Sequence, residues 1–210
     1  MITSLHLLGD SIFDNKAYVS EGGTVEDQLA NLLPKIRHLL WANDGDTTTE
    51  TFEVLKDMHG VYVDNESVAA VLSVGGNDAL QAAHVMLEPA EKVFDAFTAI
   101  GRHVAQFKRS YEYVIDRLMD SYVQENIAIA TIYDKIPEYQ DGLVGPNERL
   151  ALGLYNNVIT EIASRRKLKL LDLRVICDDP SHYSTVSPIE PSEEGGKVIA
   201  QEIAKLFDLR

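Results

Sequence analysis

The chain has 210 residues, 45% of them hydrophobic, which is enough for one domain with a sizeable buried core. Its 33 acidic and 19 basic side chains give a formal net charge of −14, which disfavours nucleic acid and anionic membrane surfaces as partners. Cys177 is the single cysteine, so an intramolecular disulfide and a paired-thiol zinc or redox site are both excluded. We expect a single domain over residues 1–210.

The N-terminal segment, Met-Ile-Thr-Ser-Leu-His, lacks the features of a secretion signal. It has no basic region, no long apolar run and no small-residue cleavage site. No later apolar run reaches the length that a membrane span requires. These features predict a cytoplasmic protein without a membrane span.

Short apolar runs alternate with amphipathic patterns along the chain, which predicts strands alternating with helices. Because parallel neighbouring strands need crossover connections, and these are usually helices, the alternation predicts an α/β fold with helices on both faces of a parallel sheet. In chain order the predicted elements are a strand at Leu5–Leu8, a helix at Val25–Leu33 after the capping residue Thr24, a strand at His38–Ala42, a helix at Thr49–Met58, a strand at Val68–Val74, a long helix within Ala90–Met119, a strand at Ile127–Ile132, a helix at Arg149–Arg166, a strand at Leu168–Leu173, and a helix at Glu193–Leu206 after Ser192.

Polar residues follow the first three predicted strands, where open parallel sheets bind their ligands. Ser11 follows the first strand beside a glycine, and a serine in that position acts as a nucleophile once a base removes its proton. The N–H of Gly45 and the side-chain amide of Asn77 are suitable donors for an oxyanion. Taken singly, Ser11 and Gly45 also fit ordinary turns, and Asn77 fits a helix N-cap.

Three segments together resemble the first three conserved blocks of the SGNH, or GDSL, hydrolase family in order and spacing. They are Gly-Asp-Ser at 9–11, Asp-Gly-Asp-Thr-Thr at 44–48 and Gly-Gly-Asn-Asp at 75–78. The resemblance implies a flavodoxin-like, three-layer α/β/α fold with a five-stranded parallel sheet and no cofactor. It also implies a serine esterase or acylhydrolase that cleaves small-molecule carboxylic esters through an acyl-serine, with Ser11 as nucleophile and Gly45 and Asn77 as oxyanion donors.

The chain departs from the fourth block, which in the family reads Asp-x-x-His-Pro immediately before the last helix. Here the corresponding residues are Ser187-Pro188-Ile189-Glu190-Pro191. Serine stands where the resemblance implies the orienting aspartate, and Glu190 stands where it implies the base. Three explanations are open.

In the first explanation, Asp179 and His182 supply the Asp-x-x-His pair from an earlier part of the same loop, with Asp179 fixing the imidazole tautomer. His182 also fits an exposed loop histidine. In the second, Glu190 is the base, held between two prolines and buried enough to raise its pKa. Glu190 also fits a carboxylate that stabilises the final helix dipole.

In the third explanation Ser11 is not activated, and the protein binds an acyl or sugar ester without efficient turnover. Nucleotide-binding functions are disfavoured, because no Gly-x-Gly-x-x-Gly follows the first strand and no Gly-x-x-x-x-Gly-Lys-Ser/Thr segment occurs.

Overall fold

Five parallel strands form a single sheet in this computed structural model, which describes residues 1–58, 66–136 and 145–209. The spatial order is β2-β1-β3-β4-β5, so the chain leaves β1 toward one edge and returns to pair β3 on its other side. This reversal of direction opens a crevice at the carboxyl ends of β1 and β3. The strands are β1 (Ser4–Gly9), β2 (Arg37–Ala42), β3 (Val68–Ser73), β4 (Ile127–Ala130) and β5 (Lys169–Leu171).

Helices cover both faces of the sheet, which confirms the three-layer α/β/α prediction. Because side chains alternate along a strand, Leu7 of β1 packs under α1 and α7, whereas Leu8 packs under α2, α4 and α5. Across the described residues, no helix is both long and apolar enough to cross a membrane. The helices are α1 (Val25–Leu32), α2 (Thr48–Asp57), α3 (Gly76–Ala82), α4 (Val93–Ser121), α5 (Pro146–Arg166), α6 (Leu173–Ile176) and α7 (Glu193–Leu206).

Side-chain caps define the starts of two helices as the sequence predicted. The Thr24 hydroxyl accepts a hydrogen bond from the Asp27 N–H at 3.0 Å, and the Asp27 carboxylate accepts one from the Thr24 N–H at 3.1 Å. The Ser192 hydroxyl accepts from the Gly195 N–H at 3.0 Å, at the start of α7. Both caps satisfy N–H groups that have no partner within their own helix.

Two short helices were not predicted. α3 begins directly after Gly75, which is its N-cap, so Asn77 lies inside the first turn and the N-cap role considered for it is wrong. α6 begins within the predicted strand Leu168–Leu173, because β5 ends at Leu171. A seven-residue and a four-residue helix are too short to produce a clear apolar period.

Gly9 allows the chain to leave β1 in close contact with β3. Its φ is +114°, and a Cβ at this position would lie 1.7 Å from the carbonyl oxygen of Ser73. The next residue, Asp10, donates its N–H to that same oxygen at 2.9 Å. Gly9 is also level with Ala42 of β2 and Ser73 of β3, so the three strands end at the same height. Residues that follow these strands are therefore brought to one edge of the sheet.

Two helical glycines provide a matched test of packing around α7. A Cβ on Gly195 would lie 2.0 Å from the His182 carbonyl oxygen, whereas a Cβ on Gly153 of α5 would meet nothing within 4 Å. Alanine improves helix propensity at both positions. Gly195→Ala should nevertheless lower the free energy of unfolding by about 1–3 kcal/mol through overpacking. Gly153→Ala should raise it by about 0.5–1 kcal/mol. Urea unfolding of both variants measures the difference, and equal shifts of the same sign would contradict it.

Candidate functional site

A tight turn presents Ser11 at the carboxyl end of β1. The Asp10 carboxyl accepts the Ile12 N–H at 3.2 Å, and the Asp10 carbonyl accepts the Phe13 N–H at 3.1 Å. The turn is packed into the molecule, and Ser11 is 7% exposed. The serine therefore lies at the edge of the sheet where the crevice opens.

Asn77 connects the ends of β2 and β3. Its side-chain Nδ2 donates to the carbonyl oxygen of Asp46 at 3.0 Å, which ties α3 to the turn that contains Gly45. The amide has a second N–H that remains available for a ligand. Gly45 itself is exposed and has a φ of +87°, a conformation that favours glycine. Two further hydrogen bonds join the start of α2 to α3. The Thr48 N–H and hydroxyl donate to the Asp78 carboxylate at 3.0 and 2.6 Å.

The segment before α7 holds the backbone of Glu190 in place. The Ser184 N–H donates to the Glu190 carbonyl at 2.8 Å, and the Glu190 N–H donates to the Ser187 carbonyl at 3.1 Å. The hydroxyl of Tyr133, which is itself buried, donates to the Ile189 carbonyl. These bonds hold the backbone around Glu190 from the preceding part of its own loop and from the segment after β4.

Asn15 fixes the other side of this segment. It is fully buried, its amide Nδ2 donates to the Pro191 carbonyl at 3.3 Å, and its Oδ1 accepts the Val25 N–H at 3.1 Å. One side chain thus joins the loop after Ser11, the start of α1 and the residue that follows Glu190. The two loops that carry Ser11 and Glu190 are therefore linked by a buried amide.

Ser11 and Glu190 meet in the site. Burial raises the pKa of Glu190 to about 7, hydrogen bonding with the Ser11 side chain opposes this rise, and the negative charge of Asp44 adds to it. Glu190 is 4% exposed, and its Oε2 has no hydrogen-bond partner among the described residues. A carboxyl group with this pKa is close to half ionised at neutral pH, so it can both accept and return a proton.

Asp10 is a second buried carboxyl in the same wall. Burial raises its pKa to about 8, and the charges of Glu190 and Asp78 act in the same direction, whereas hydrogen bonds from the Ile12 N–H and the Ser73 side chain oppose them. Burial therefore favours the protonated form of Asp10. No signal in the sequence predicts this state, because Gly-Asp-Ser also fits an exposed turn.

Asp179 and His182 occupy a separate turn of their own. The Asp179 carboxylate accepts the Ser181 N–H at 2.8 Å, and His182 Nδ1 accepts the Asp179 N–H at 3.4 Å. The His182 carbonyl accepts the Ser192 N–H at 3.0 Å, which places this turn against the start of α7. Neither residue lines the cavity that contains Ser11. The structure thus brings Ser11, Asn77 and Glu190 together without this pair.

A cavity of about 190 Å³ lies beside Ser11. Asp10, Ser11, Asn77 and Glu190 line it, His103 of α4 and Glu148 of α5 are further polar residues in its wall, and Gly45 is not in the wall. The remaining wall is mostly apolar and comes from α3, the 3-10 turn Ala83–Leu87, α4 and α5, which contribute Leu80, Met86, Ile100 and Leu152 among others. The sequence did not predict this wall, because its residues come from several separate elements and share no motif.

Structural comparison relates the fold to solved lipolytic proteins. A member of the lipolytic G-D-S-L family from Veillonella parvula superposes with a TM-score of 0.72 at 13% identity, covering 98% of each chain. The psychrotrophic esterase EstA from a Pseudoalteromonas species gives 0.68 at 14% identity, covering 98% of this chain and 97% of that one. Phospholipase A1 from Streptomyces albidoflavus gives 0.68 at 15% identity, with coverage of 98% and 99%.

At these identities the comparison shows the fold, and it confirms the fold that the resemblance implied. No protein-family model matches the chain, and no curated protein sequence matches it significantly.

The raised pKa of Glu190 predicts a pH-dependent stability. Its pKa is about 7 in the folded protein, against an ordinary value of 4.5, so folding favours the protonated form. Its contribution to stability is therefore lost as pH rises from about 4.5 to 7. Glu190→Gln removes this penalty, so the variant should match the wild type near pH 4 and exceed it by about 3 kcal/mol at pH 8. Urea unfolding across this range, with the exposed Glu21→Gln as control, measures it. A variant no more stable at pH 8 would contradict the burial of Glu190.

Asp44 should act on Glu190 through its charge. The Asp44 carboxylate accepts the Tyr18 hydroxyl at 2.7 Å and raises the pKa of Glu190. Asp44→Asn should therefore lower that pKa, as followed by ¹³C NMR of the Glu190 carboxyl. Asp178→Asn makes the same change in net charge at an exposed position elsewhere, so equal shifts in both variants would exclude a local effect of Asp44.

Proposed function

We propose that the protein is a serine hydrolase of carboxylic esters, with Ser11 as nucleophile and Glu190 as general base. The observation that carries this proposal is that Ser11 and Glu190 line the same mostly apolar cavity and lie close enough for the Ser11 side chain to lower the pKa of Glu190. The fold that the chain shares with an esterase, a lipolytic protein and a phospholipase supports the same class of reaction. Esters suit the cavity because they place one polar carbonyl next to apolar groups.

In the proposed first step, Ser11 Oγ attacks the ester carbonyl carbon while its proton passes to the Glu190 carboxylate. The carbonyl oxygen becomes an oxyanion, and the N–H of Ser11 and the Asn77 side-chain amide stabilise it, because both residues line the cavity whereas Gly45 does not. Collapse of the tetrahedral intermediate breaks the bond to the alcohol, which leaves with the proton from Glu190. Water then attacks the acyl-serine while Glu190 accepts a proton from it. The bond between the acyl carbon and Ser11 Oγ breaks, Glu190 returns the proton to Ser11 Oγ, and the carboxylic acid is released.

Glu190 suits this role because of its environment. A base works best with a pKa near the operating pH, and burial raises the pKa of Glu190 to about 7, where the base of a serine hydrolase needs to be. A histidine base usually requires a third group to fix its orientation. Here the Ser184 N–H donates to the Glu190 carbonyl and the Tyr133 hydroxyl donates to the neighbouring Ile189 carbonyl, which fixes the backbone at Glu190. Asp179 and His182 take no step in this mechanism.

Hydrolysis of p-nitrophenyl butyrate tests the assignment. Ser11→Ala should lower kcat by about 10³-fold or more, and Glu190→Gln by about 10²–10⁴-fold, because the proton acceptor is lost. His182→Ala should stay within about twofold of the wild type, since it does not contact the site. The wild-type kcat/KM should fall on the acid side with a midpoint near pH 7, where Glu190 becomes protonated.

Three outcomes would contradict the assignment. Turnover that survives Ser11→Ala would exclude the nucleophile, and turnover that requires His182 would transfer the role of base to the Asp179 and His182 pair. A wild-type protein that binds esters without hydrolysing them would favour a binding protein.

A further inference from the structure

Large apolar side chains are exposed along one edge of the molecule. Leu80 is 52% exposed, Leu87 87%, Val93 73%, Phe94 76% and Phe97 58%. Single exposed apolar residues are ordinary, but groups of them indicate a binding surface. We call these five residues the apolar rim.

The apolar rim belongs to neighbouring elements. α3 carries Leu80 and continues into the 3-10 turn that ends with Leu87. This turn packs against α4, and the rings of His84 and His103 meet edge to face at 5.8 Å between their centroids. The other three residues of the rim lie in the first two turns of α4. The five rim residues therefore belong to three consecutive segments, of which the 3-10 turn contacts both helices.

The rim is continuous with the cavity beside Ser11. Val93, Phe97, Ile100 and Val104 are spaced to share one face of α4. Along this face, Phe97 is exposed, Ile100 lines the cavity, and Val104 packs against the buried core. Leu80 makes the same connection from α3, because it both lines the cavity and is half exposed. Apolar side chains thus continue from the exposed surface into the cavity that Ser11 lines.

Charge restricts what this surface can bind. The exposed charged residues beside the rim, Glu88, Glu91, Lys92 and Asp95, carry a net negative charge, as does the whole chain at −14. Anionic lipids are held by clusters of basic residues, which this stretch does not have. A second copy of the chain on the rim would cover the mouth of the cavity, through which an ester must enter. A neutral or zwitterionic lipid surface needs no basic residues for binding. It also accepts apolar side chains and presents ester-containing molecules to the mouth of the cavity.

We propose that the apolar rim docks on the surface of neutral or zwitterionic lipid aggregates and that the cavity takes its ester from that surface. The proposal rests on the proposed ester hydrolysis for its chemistry, but the docking can be measured without turnover. Phe94 and Phe97 enter the lipid surface, and Leu80 and Ile100 guide the apolar part of the ester toward Ser11.

Sedimentation with vesicles tests the docking. The wild type should bind phosphatidylcholine vesicles and bind phosphatidylglycerol vesicles more weakly at low salt. The double variant Phe94→Ser and Phe97→Ser should lose about tenfold or more in affinity, because two aromatic side chains no longer enter the lipid. Tyr113→Ser is the matched control, since Tyr113 lies on the same helix and is 66% exposed but is sixteen residues from Phe97. It should bind as the wild type does.

Hydrolysis of a water-soluble short ester separates docking from chemistry. The double variant should keep wild-type activity on p-nitrophenyl butyrate and lose activity on an aggregated phosphatidylcholine substrate. Vesicle binding that depends on Phe94 and Phe97 without any ester hydrolysis would support docking and contradict the proposed function. Hydrolysis of the short ester without vesicle binding would support the proposed function and contradict docking.

Three further results would overturn the docking proposal. They are stronger binding to phosphatidylglycerol than to phosphatidylcholine, an equal loss of binding in Tyr113→Ser, and a wild-type dimer in light scattering that the double variant dissociates. The last result would make the rim an interface between two copies of the chain.

Discussion

The burial of a glutamate carboxyl beside a serine hydroxyl is the constraint on which the site depends. In water Glu190 would be fully ionised at neutral pH and a weak base. Inside the protein its pKa rises to about 7, because burial disfavours the charged form more strongly than the Ser11 side chain favours it. The same burial costs stability above that pH. Asp10 is a second buried carboxyl group with a raised pKa at the same edge of the sheet. Two groups that can bind protons near neutral pH are therefore kept at this edge at a cost in stability.

Three parts of the fold maintain this arrangement. The strand order opens a crevice between β1 and β3, Gly9 lets the chain turn closely against β3, and Asn15 connects the loops that carry Ser11 and Glu190. Asn77 and the Thr48–Asp78 hydrogen bonds then align the ends of β2 and β3. The site is thus supported by contacts between residues far apart in sequence, and rigid positioning of this kind is what catalysis by preorganised groups requires.

Local signals in the sequence were sufficient for the layers of the fold. The apolar runs gave all five strands within a few residues, and Thr24 and Ser192 gave the starts of α1 and α7 because each cap involves residues three positions apart. Ser11, Gly45 and Asn77 were expected at one edge of the sheet because they follow strands whose carboxyl ends meet, and Ser11 and Asn77 line the cavity there whereas Gly45 does not. The cavity wall was not predictable in this way, and the burial of Glu190 was one of three alternatives that the sequence left open. They depend on Tyr133, Ser184 and Asn15, whose contacts with the segment before α7 appear only in three dimensions.

Activation of Ser11 by Glu190 can be tested by labelling Ser11 with a fluorophosphonate. Intact mass and peptide mapping follow the labelling rate as a function of pH. Ser11 Oγ attacks the phosphorus atom and displaces fluoride, so the labelling rate reports activation of Ser11 without any assumption about the natural substrate. A single adduct on Ser11 is expected, with a rate that rises to a plateau around a midpoint near pH 7 and a much lower rate in Glu190→Gln. No adduct on Ser11, or a pH profile that Glu190→Gln leaves unchanged, would contradict it.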